Sequence, residues 1–320
     1  MQIVLLSGGS GKRLWPITGE QNAKQFLRVL PGENDRESML ERACRQLRRA
    51  FPAESITAVT GAAQRALVVS QLRGGAADVL AEPERRNTFP AIALACVWLS
   101  CEKKRPHDEM VLVLPVDFYV EDDYFDRLAL MEAELQSHPE ADVVLLGTRP
   151  AHPTSKYGYI LPESATENAL KVLAFREKPE EEEALALIAK GALWNCGVFA
   201  FRLGYILDEL ARRIAAPSSY AAVLEQYAAL EKNSIDRVLL ERGACARVLR
   251  YDGRWMDLGT WETLFQVMDK GAYGKVQLKG DCKGTVVLNT TEEEILINGL
   301  KDALVVKGGG GVRITGHASL

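Results

Sequence analysis

Histidine is scarce in this chain, with four among 320 residues (His107, His138, His152 and His317), and none of the four falls in a motif. The six cysteines, Cys44, Cys96, Cys101, Cys196, Cys245 and Cys282, form no CxxC pair and have no histidine pattern nearby. No structural zinc is expected from that spacing, and unpaired scattered thiols point to a reducing compartment. Long apolar runs are also missing. The opening MQIVLLSGG turns from apolar to glycine within a few residues, and the longest run elsewhere, Ala91 to Leu99, is too short to cross a bilayer. A cytoplasmic protein without a membrane partner is expected. Neither sign of charge dominates: 39 Lys and Arg stand against 43 Asp and Glu, for a net charge of −4 and a pI near 5.8. Such a chain has no electrostatic reason to seek nucleic acid. An anionic ligand would have to be held by a local cluster of cations and backbone amides.

What is present is an ordinary globular composition, 47% hydrophobic and 26% charged. Short runs, QIVLL at Gln2, ITAV at Ile56, MVLVL at Met110 and DVVLL at Asp142, alternate with longer helix-like segments. Runs that are apolar throughout read as buried strands of a largely parallel sheet, so the expected class is α/β. Ser38 followed three residues later by Glu41 fits a capping box, and Thr88 with Pro90 marks another helix start with Thr88 as cap. After about Lys270 glycines at 271, 274, 280 and 284 separate short strand-like pieces, VVL, EILI, ALVV and VRI. The expected organisation is a main domain over 1–270 and a small C-terminal β domain over 271–320, in the manner of a few β-helix turns. An exposed edge on that appendage would offer a homodimer surface.

The first strand ends in LSGGSGKRLWP, Leu6 to Pro16. A Walker A loop fails because Gly11-Lys12 is followed by Arg13, with Leu6 where the first glycine should stand. A dinucleotide fingerprint fails because Leu14 takes the third glycine position. What remains places Gly8, Gly9 and Gly11 where backbone amides can approach phosphates, with Lys12 and Arg13 as charged donors. The plainer alternative is a glycine-rich turn that binds nothing. Further on, VLVLPVDFYV is a buried strand that leads into Asp117, where open α/β sheets place ligand groups. Glu177 and Lys178 stand side by side at an expected strand end, although the same dipeptide is common on solvated surfaces.

The pattern GGxGxRLxP followed by NAKQFL, Asn22 to Leu27, closely resembles the signature of sugar-1-phosphate nucleotidyltransferases, and in particular of the mannose-1-phosphate guanylyltransferase family. Four later segments are similar to that family in the same order: EPERRNTFPAIALA from Glu82, LPVDF around Asp117, WNCG from Trp194 and WMDLGTW from Trp255. KYGYI at Lys156, FREKP at Phe175 and NSIDRVLLER at Asn233 fall between them. The departures are Ala23 for proline, Phe118 for histidine, Cys196 for serine and Arg237 for tyrosine. The resemblance covers roughly residues 1 to 305 and does not extend to the isomerase domain of longer relatives.

This resemblance implies a Rossmann-like nucleotidyltransferase domain with a mixed, mostly parallel sheet, and it assigns roles. Leu6, Gly8, Gly9, Gly11, Lys12, Arg13, Glu82, Arg86, Asn87 and Asp117 would bind the nucleotide, with Glu82 accepting from guanine. Gly158, Glu177, Lys178 and Asn195 would hold the sugar phosphate. Asp117 and Asp257 would be carboxylate ligands of Mg²⁺, whose preference is for hard oxygen donors. Arg13, Lys24, Asp117, Lys178 and Asp257 would form the catalytic set. The implied reaction joins GTP to mannose 1-phosphate, giving GDP-mannose and pyrophosphate. Another sugar 1-phosphate, such as heptose or glucose, or another NTP, is the alternative within the same chemistry. A non-catalytic nucleotide-sugar sensor is the alternative outside it.

Overall fold

The apolar runs pair as strands in a computed structural model, which describes residues 1–9, 14–18, 23–33, 35–164, 169–215, 219–268 and 271–316. The principal sheet contains β1 (Gln2–Leu6), β2 (Ile56–Gly61), β3 (Asp78–Glu82), β4 (Met110–Pro115) and β5 (Val143–Thr148). It continues with β6 (Gly158–Pro162), β7 (Ala169–Glu177), β8 (Leu193–Arg202) and β9 (Ala246–Tyr251). The spatial order is β3-β2-β1-β4-β8-β5-β9-β7-β6. Strands β3, β2, β1 and β4 are parallel neighbours, and β9 is parallel to β5. Strand β8 runs against both β4 and β5, and β7 against β9 and β6, so the sheet is mixed. The expectation of a mostly parallel sheet is corrected: it holds for β3-β2-β1-β4, whereas β8, inserted between β4 and β5, and β7, inserted between β9 and β6, make the other half chiefly antiparallel. Because β8 also pairs with β6 through Leu193↔Ile160 and Trp194↔Tyr159, strands β8, β5, β9, β7 and β6 close into a ring. The open parallel half and the closed half meet along the β4–β8 pair.

Uniformly apolar strands require cover on both faces. Val4, Val111 and Val113 pack on one side beneath α3 (Thr88–Val97), a helix buried at every position from Phe89 to Val97. Ile3, Leu5, Leu112 and Leu114 pack on the other, against Leu40, Ala43 and Leu47 of α1 (Met39–Ala50), Val68 and Leu72 of α2 (Arg65–Leu72), and Leu128 and Met131 of the helix Asp123–Ser137. The capping box at Ser38 is present: its hydroxyl accepts from Glu41 N, and Glu41 returns a carboxylate to Ser38 N. At α3 the expectation is corrected. The side chain that accepts at the helix start is Asn87, which takes the Thr88 N–H, whereas the Thr88 hydroxyl accepts from Ile235 N at 2.9 Å. A tertiary partner has claimed the threonine, and Asn87 holds a φ of 71°, a region asparagine enters more readily than most residues.

Residues 271–316 hold only strands among the described positions. Gly271–Tyr273, Val286–Asn289 and Ala303–Gly308 pair in parallel, Gly311–Gly316 adds antiparallel, and Val276–Lys279 pairs in parallel with Ile295–Asn298. Their inward residues Tyr273, Val286, Leu288, Leu304 and Val306 share one core with Leu14, Ile17, Leu30, Leu258, Trp261 and Leu264. The Trp261 indole N–H donates to Trp15 O at 3.0 Å within that junction. The C-terminal strands thus brace the segments that flank Lys24 and Asp257.

Ser38→Ala removes the cap and the bond its hydroxyl donates to Gln71. The expected cost is about 1 kcal/mol, a drop of roughly 1–2 °C in Tm; an unchanged thermal unfolding curve would contradict the role given to the cap.

Candidate active site

Strand β4 ends at Pro115 and delivers Asp117 to the carboxyl edge of the sheet, two residues on. A short ribbon then forms, Phe118–Val120 against Trp255–Asp257, in which Asp257 stands opposite Phe118 and Leu258 N donates to Asp117 O. This pairing brings the two aspartates together from positions 140 apart in the chain. Lys24, on a single 3₁₀ turn (Lys24–Phe26), meets both: its Nζ lies 2.9 Å from Asp117 Oδ2 and 3.3 Å from Asp257 Oδ1. The next residue fastens that turn, since buried Gln25 donates to Ser7 O at 2.8 Å, directly after β1. Burial works against the Lys24 charge, but the two carboxylates outweigh it and hold the pKa above the ordinary lysine value. The ammonium therefore stays protonated, and the trio carries one positive and two negative charges. Two carboxylates that converge on one ammonium-sized point fit a hard divalent cation, provided that other oxygens come from a ligand or water.

On the other side of β1 a cavity of about 250 Å³ is lined by Leu6, Gly8, Gly9, Val59, Glu82, Arg85, Arg86, Asn87, Thr88 and Ala91. Its volume is just under the roughly 300–1,000 Å³ common for whole ligand sites, a size suited to one part of a nucleotide. Glu82, at the end of β3, is the acidic member of the described lining and is only 6% exposed. Burial pushes the Glu82 carboxyl above its usual range, while the Tyr227 hydroxyl and the Arg85 guanidinium pull it back. Tyr227 is itself fully buried and donates to Glu82 Oε1 at 2.6 Å. Arg85 donates to Gly9 O, fixing the glycine loop to the cavity wall. Arg86 donates to Leu230 O at 2.6 Å and pairs with Glu84, which ties the Tyr227 segment to the loop after β3.

Beyond β4 lies a third group. Gly158 and Glu177 are register partners in the β6–β7 pair, and a Cβ on Gly158 would stand 2.8 Å from Glu177 Oε2 and 2.7 Å from Phe175 Cζ. Any larger residue there would make the Phe175 ring or the Glu177 carboxylate shift. The Lys178 ammonium is ion-paired to Glu177 and mostly exposed, on a backbone with φ of 50° whose N–H donates to Tyr157 O. Asn195 is committed internally: its Oδ1 accepts from Gly197 N, and its Nδ2 donates to Asp236 Oδ1 at 2.7 Å. Enclosure of the Asp236 carboxyl, with the Glu177 charge adding to it, pushes its pKa up to about 6. Tyr157 stacks edge-on between Trp194 and Trp255, which links this group to the strand carrying Asp257.

The structure thus gathers Leu6, Gly8, Gly9, Glu82, Arg86 and Asn87 around one cavity, and Lys24, Asp117 and Asp257 at one point. Gly158, Glu177 and Lys178 form the third cluster, with Asn195 behind it. Gly11, Lys12 and Arg13 lie outside the described residues. Sequence reasoning missed Tyr227, Arg85, Gln25 and Asp236. Asp236 and Arg85 sat inside quoted motifs, whereas Tyr227 and the reach of Gln25 to Ser7 had no local signal. Of the departures from the family pattern, Phe118 and Cys196 are core side chains, 6% and 2% exposed.

The nucleotidyl transferase family model matches residues 2–272. The alginate biosynthesis protein AlgA of Pseudomonas aeruginosa is 31% identical over 335 aligned positions, covering 95% of this chain and 66% of that protein. A mannose-1-phosphate guanylyltransferase of Escherichia coli K12 is 33% identical, covering 95% of this chain and 68% of its own length. This chain therefore spans about two thirds of the length of these relatives. Among solved structures, one described as mannose-1-phosphate geranyltransferase from Thermus thermophilus superposes with a TM-score of 0.77 at 29% identity, over 99% of this chain and 95% of that one. A UDP-glucose pyrophosphorylase from Acinetobacter baumannii shares the fold, with a TM-score of 0.58 at 16% identity over 83% of this chain and 91% of that one.

Gly158→Ala would force Glu177 and Phe175 apart. We expect about 1–3 kcal/mol of destabilisation, the usual cost of overpacking, read as a lower denaturant midpoint with an unchanged m-value. A midpoint equal to that of the parent would show that the strand pair yields freely.

Proposed function

We propose, from the premise that the chain belongs to the nucleotidyl transferase family, that it transfers GMP from GTP to mannose 1-phosphate, releasing pyrophosphate. The observation that carries this reading is the convergence of Lys24 with Asp117 and Asp257, beside a cavity lined by the glycine loop and Glu82. In it the cavity takes the guanine, and Glu82 accepts from its N–H edge. Arg13, Lys12 and the loop amides meet the triphosphate. Lys24 lies between that triphosphate and the carboxylate pair. Glu177 and Gly158 face the sugar, and Lys178 steers its phosphate.

A sugar phosphate is mostly dianionic at neutral pH, its second pKa being about 6, so it needs no protein base. One of its oxygens bonds to the α-phosphorus of GTP, while the bond from that phosphorus to the β-bridging oxygen breaks and its electron pair leaves with pyrophosphate. What this chain must supply is alignment of two polyanions and cationic donors for the charge they carry. Asp117 and Asp257 would hold Mg²⁺, which when bound neutralises phosphate charge. Mannose is favoured over other sugars because two of the departures that would argue against it, Phe118 and Cys196, are core side chains. The same reading takes 271–320 as a short β-helix-like domain attached to a catalytic domain over 1–270, a homodimer as its assembly and the cytoplasm as its place.

Pyrophosphate release in Mg²⁺, measured for each of the four NTPs against mannose, glucose, N-acetylglucosamine and heptose 1-phosphates, tests the proposal. Release confined to GTP with mannose 1-phosphate is expected; silence across the panel would leave a nucleotide-sugar sensor as the better reading. Asp257→Asn should lower kcat by about 10²-fold or more with an unchanged Tm, and normal turnover in that variant would remove Asp257 from the metal set.

A further inference from the structure

The hydroxyl of Tyr227 does something for Glu82 that no motif announces. A carboxylate accepts through two oxygens, and in a cavity open to both it could turn to suit several base edges. Here one oxygen is taken. Tyr227 Oη donates to Oε1 at 2.6 Å from a side chain with no solvent exposure, so the phenol has no water as an alternative partner. The other oxygen, Oε2, lies on the side of Gly8, 3.6 Å from where a Cβ on that residue would stand, and Gly8 lines the cavity. The phenol is held in turn: its segment is anchored by Arg86 to Leu230 O, and by the Asn233 and Ile235 bonds to the start of α3.

We propose that Tyr227 is the positioning residue that sets nucleobase specificity: by occupying Glu82 Oε1 it leaves Oε2 as the fixed acceptor of the cavity. A fixed, acceptor-only oxygen selects bases that present a ring N–H at the matching place, guanine through N1–H and uracil or thymine through N3–H. It rejects adenine and cytosine, whose ring nitrogen there is itself an acceptor. This inference rests on the reading that the cavity takes the base of a nucleotide.

The charge state of Glu82 gives a readout that a merely structural tyrosine would not move. The groups that face Glu82 are Tyr227 and Arg85, both of which favour its ionised form against burial, and Arg86 and Glu84 act on the phenol. A carboxyl whose pKa is raised by burial accepts from the base above that pKa and stops as pH falls through it. Tyr227→Phe removes a group that holds the pKa down, so the loss of binding moves to higher pH.

GTP, UTP, ATP and CTP binding is measured by calorimetry from pH 5.5 to 8.5 for the wild type, Tyr227→Phe, Glu82→Gln and the double variant. The wild type should bind GTP in preference to ATP and CTP. Tyr227→Phe should weaken GTP about tenfold at neutral pH, by less at pH 8.5 and by more at pH 6, and narrow its margin over ATP. In the Glu82→Gln background, where no buried charge is left stranded, the same substitution should change GTP affinity less than about twofold. A Tyr227→Phe protein that unfolds while the double variant folds would support the same coupling. Equal loss at every pH, equal loss in both backgrounds, or unfolding of both variants would overturn the proposal and leave Tyr227 as a packing residue. A wild type that binds none of the four nucleotides overturns instead the nucleotide reading on which it rests.

Discussion

One ammonium between two carboxylates organises the carboxyl edge of this sheet. Lys24, Asp117 and Asp257 come from an N-terminal turn, the end of a central strand and a ribbon near the end of the family-matched region, and the ammonium lies within 3.3 Å of both carboxylates. Two carboxylates brought this close stay ionised together most readily with a cation between them. With Lys24 present the cluster still carries one net negative charge, which is a standing attraction for a divalent ion. The constraint spreads outward. Gln25 fixes the Lys24 turn to the strand that bears the glycine loop, and Trp261 ties the Asp257 segment to Trp15. The C-terminal strands close a hydrophobic core over both attachments.

The Glu82 cavity repeats the arrangement with different chemistry. Glu82 also sits at a strand end, but it is buried, and its partner is a neutral phenol rather than an ammonium. A hydrogen-bond donor leaves the charge in place and fixes its direction. Between the two sites runs β1, whose trailing residues Gly8 and Gly9 border the cavity. The Lys24 turn is fastened at Ser7, so loop, cavity and carboxylate pair share one rigid origin.

Much of this was legible in the sequence. The runs at Gln2, Ile56, Met110 and Asp142 became strands because uniformly apolar segments have no solvent face to offer, and the Ser38–Glu41 box formed as spelled. Asp117, Asp257, Glu82 and Gly158 sat in motifs whose order carried their meaning. What stayed hidden was long-range pairing. Nothing near Tyr227 distinguishes it from a core aromatic, and only the fold sets it 2.6 Å from a carboxylate 145 residues earlier. The start of α3 was misread for a related reason: Asn87 and Thr88 are both capable caps, and the choice was made by Ile235, a distant amide that took the threonine hydroxyl. The ring of five strands likewise depends on two residues of β8 pairing with β6, a contact without a local signature.

In the structure Lys24 stands at the point on which Asp117 and Asp257 converge, and in the proposed reaction those two carboxylates would hold Mg²⁺ once the ammonium turns to the triphosphate. The most direct test is Mn²⁺ binding, as a paramagnetic stand-in for Mg²⁺, followed with and without GTP in the wild type and in Lys24→Met. Wild-type affinity for the ion should rise about tenfold or more when GTP is present, and Lys24→Met should narrow this difference by freeing the carboxylates beforehand. Equal affinity with and without GTP in the wild type would contradict the shared site.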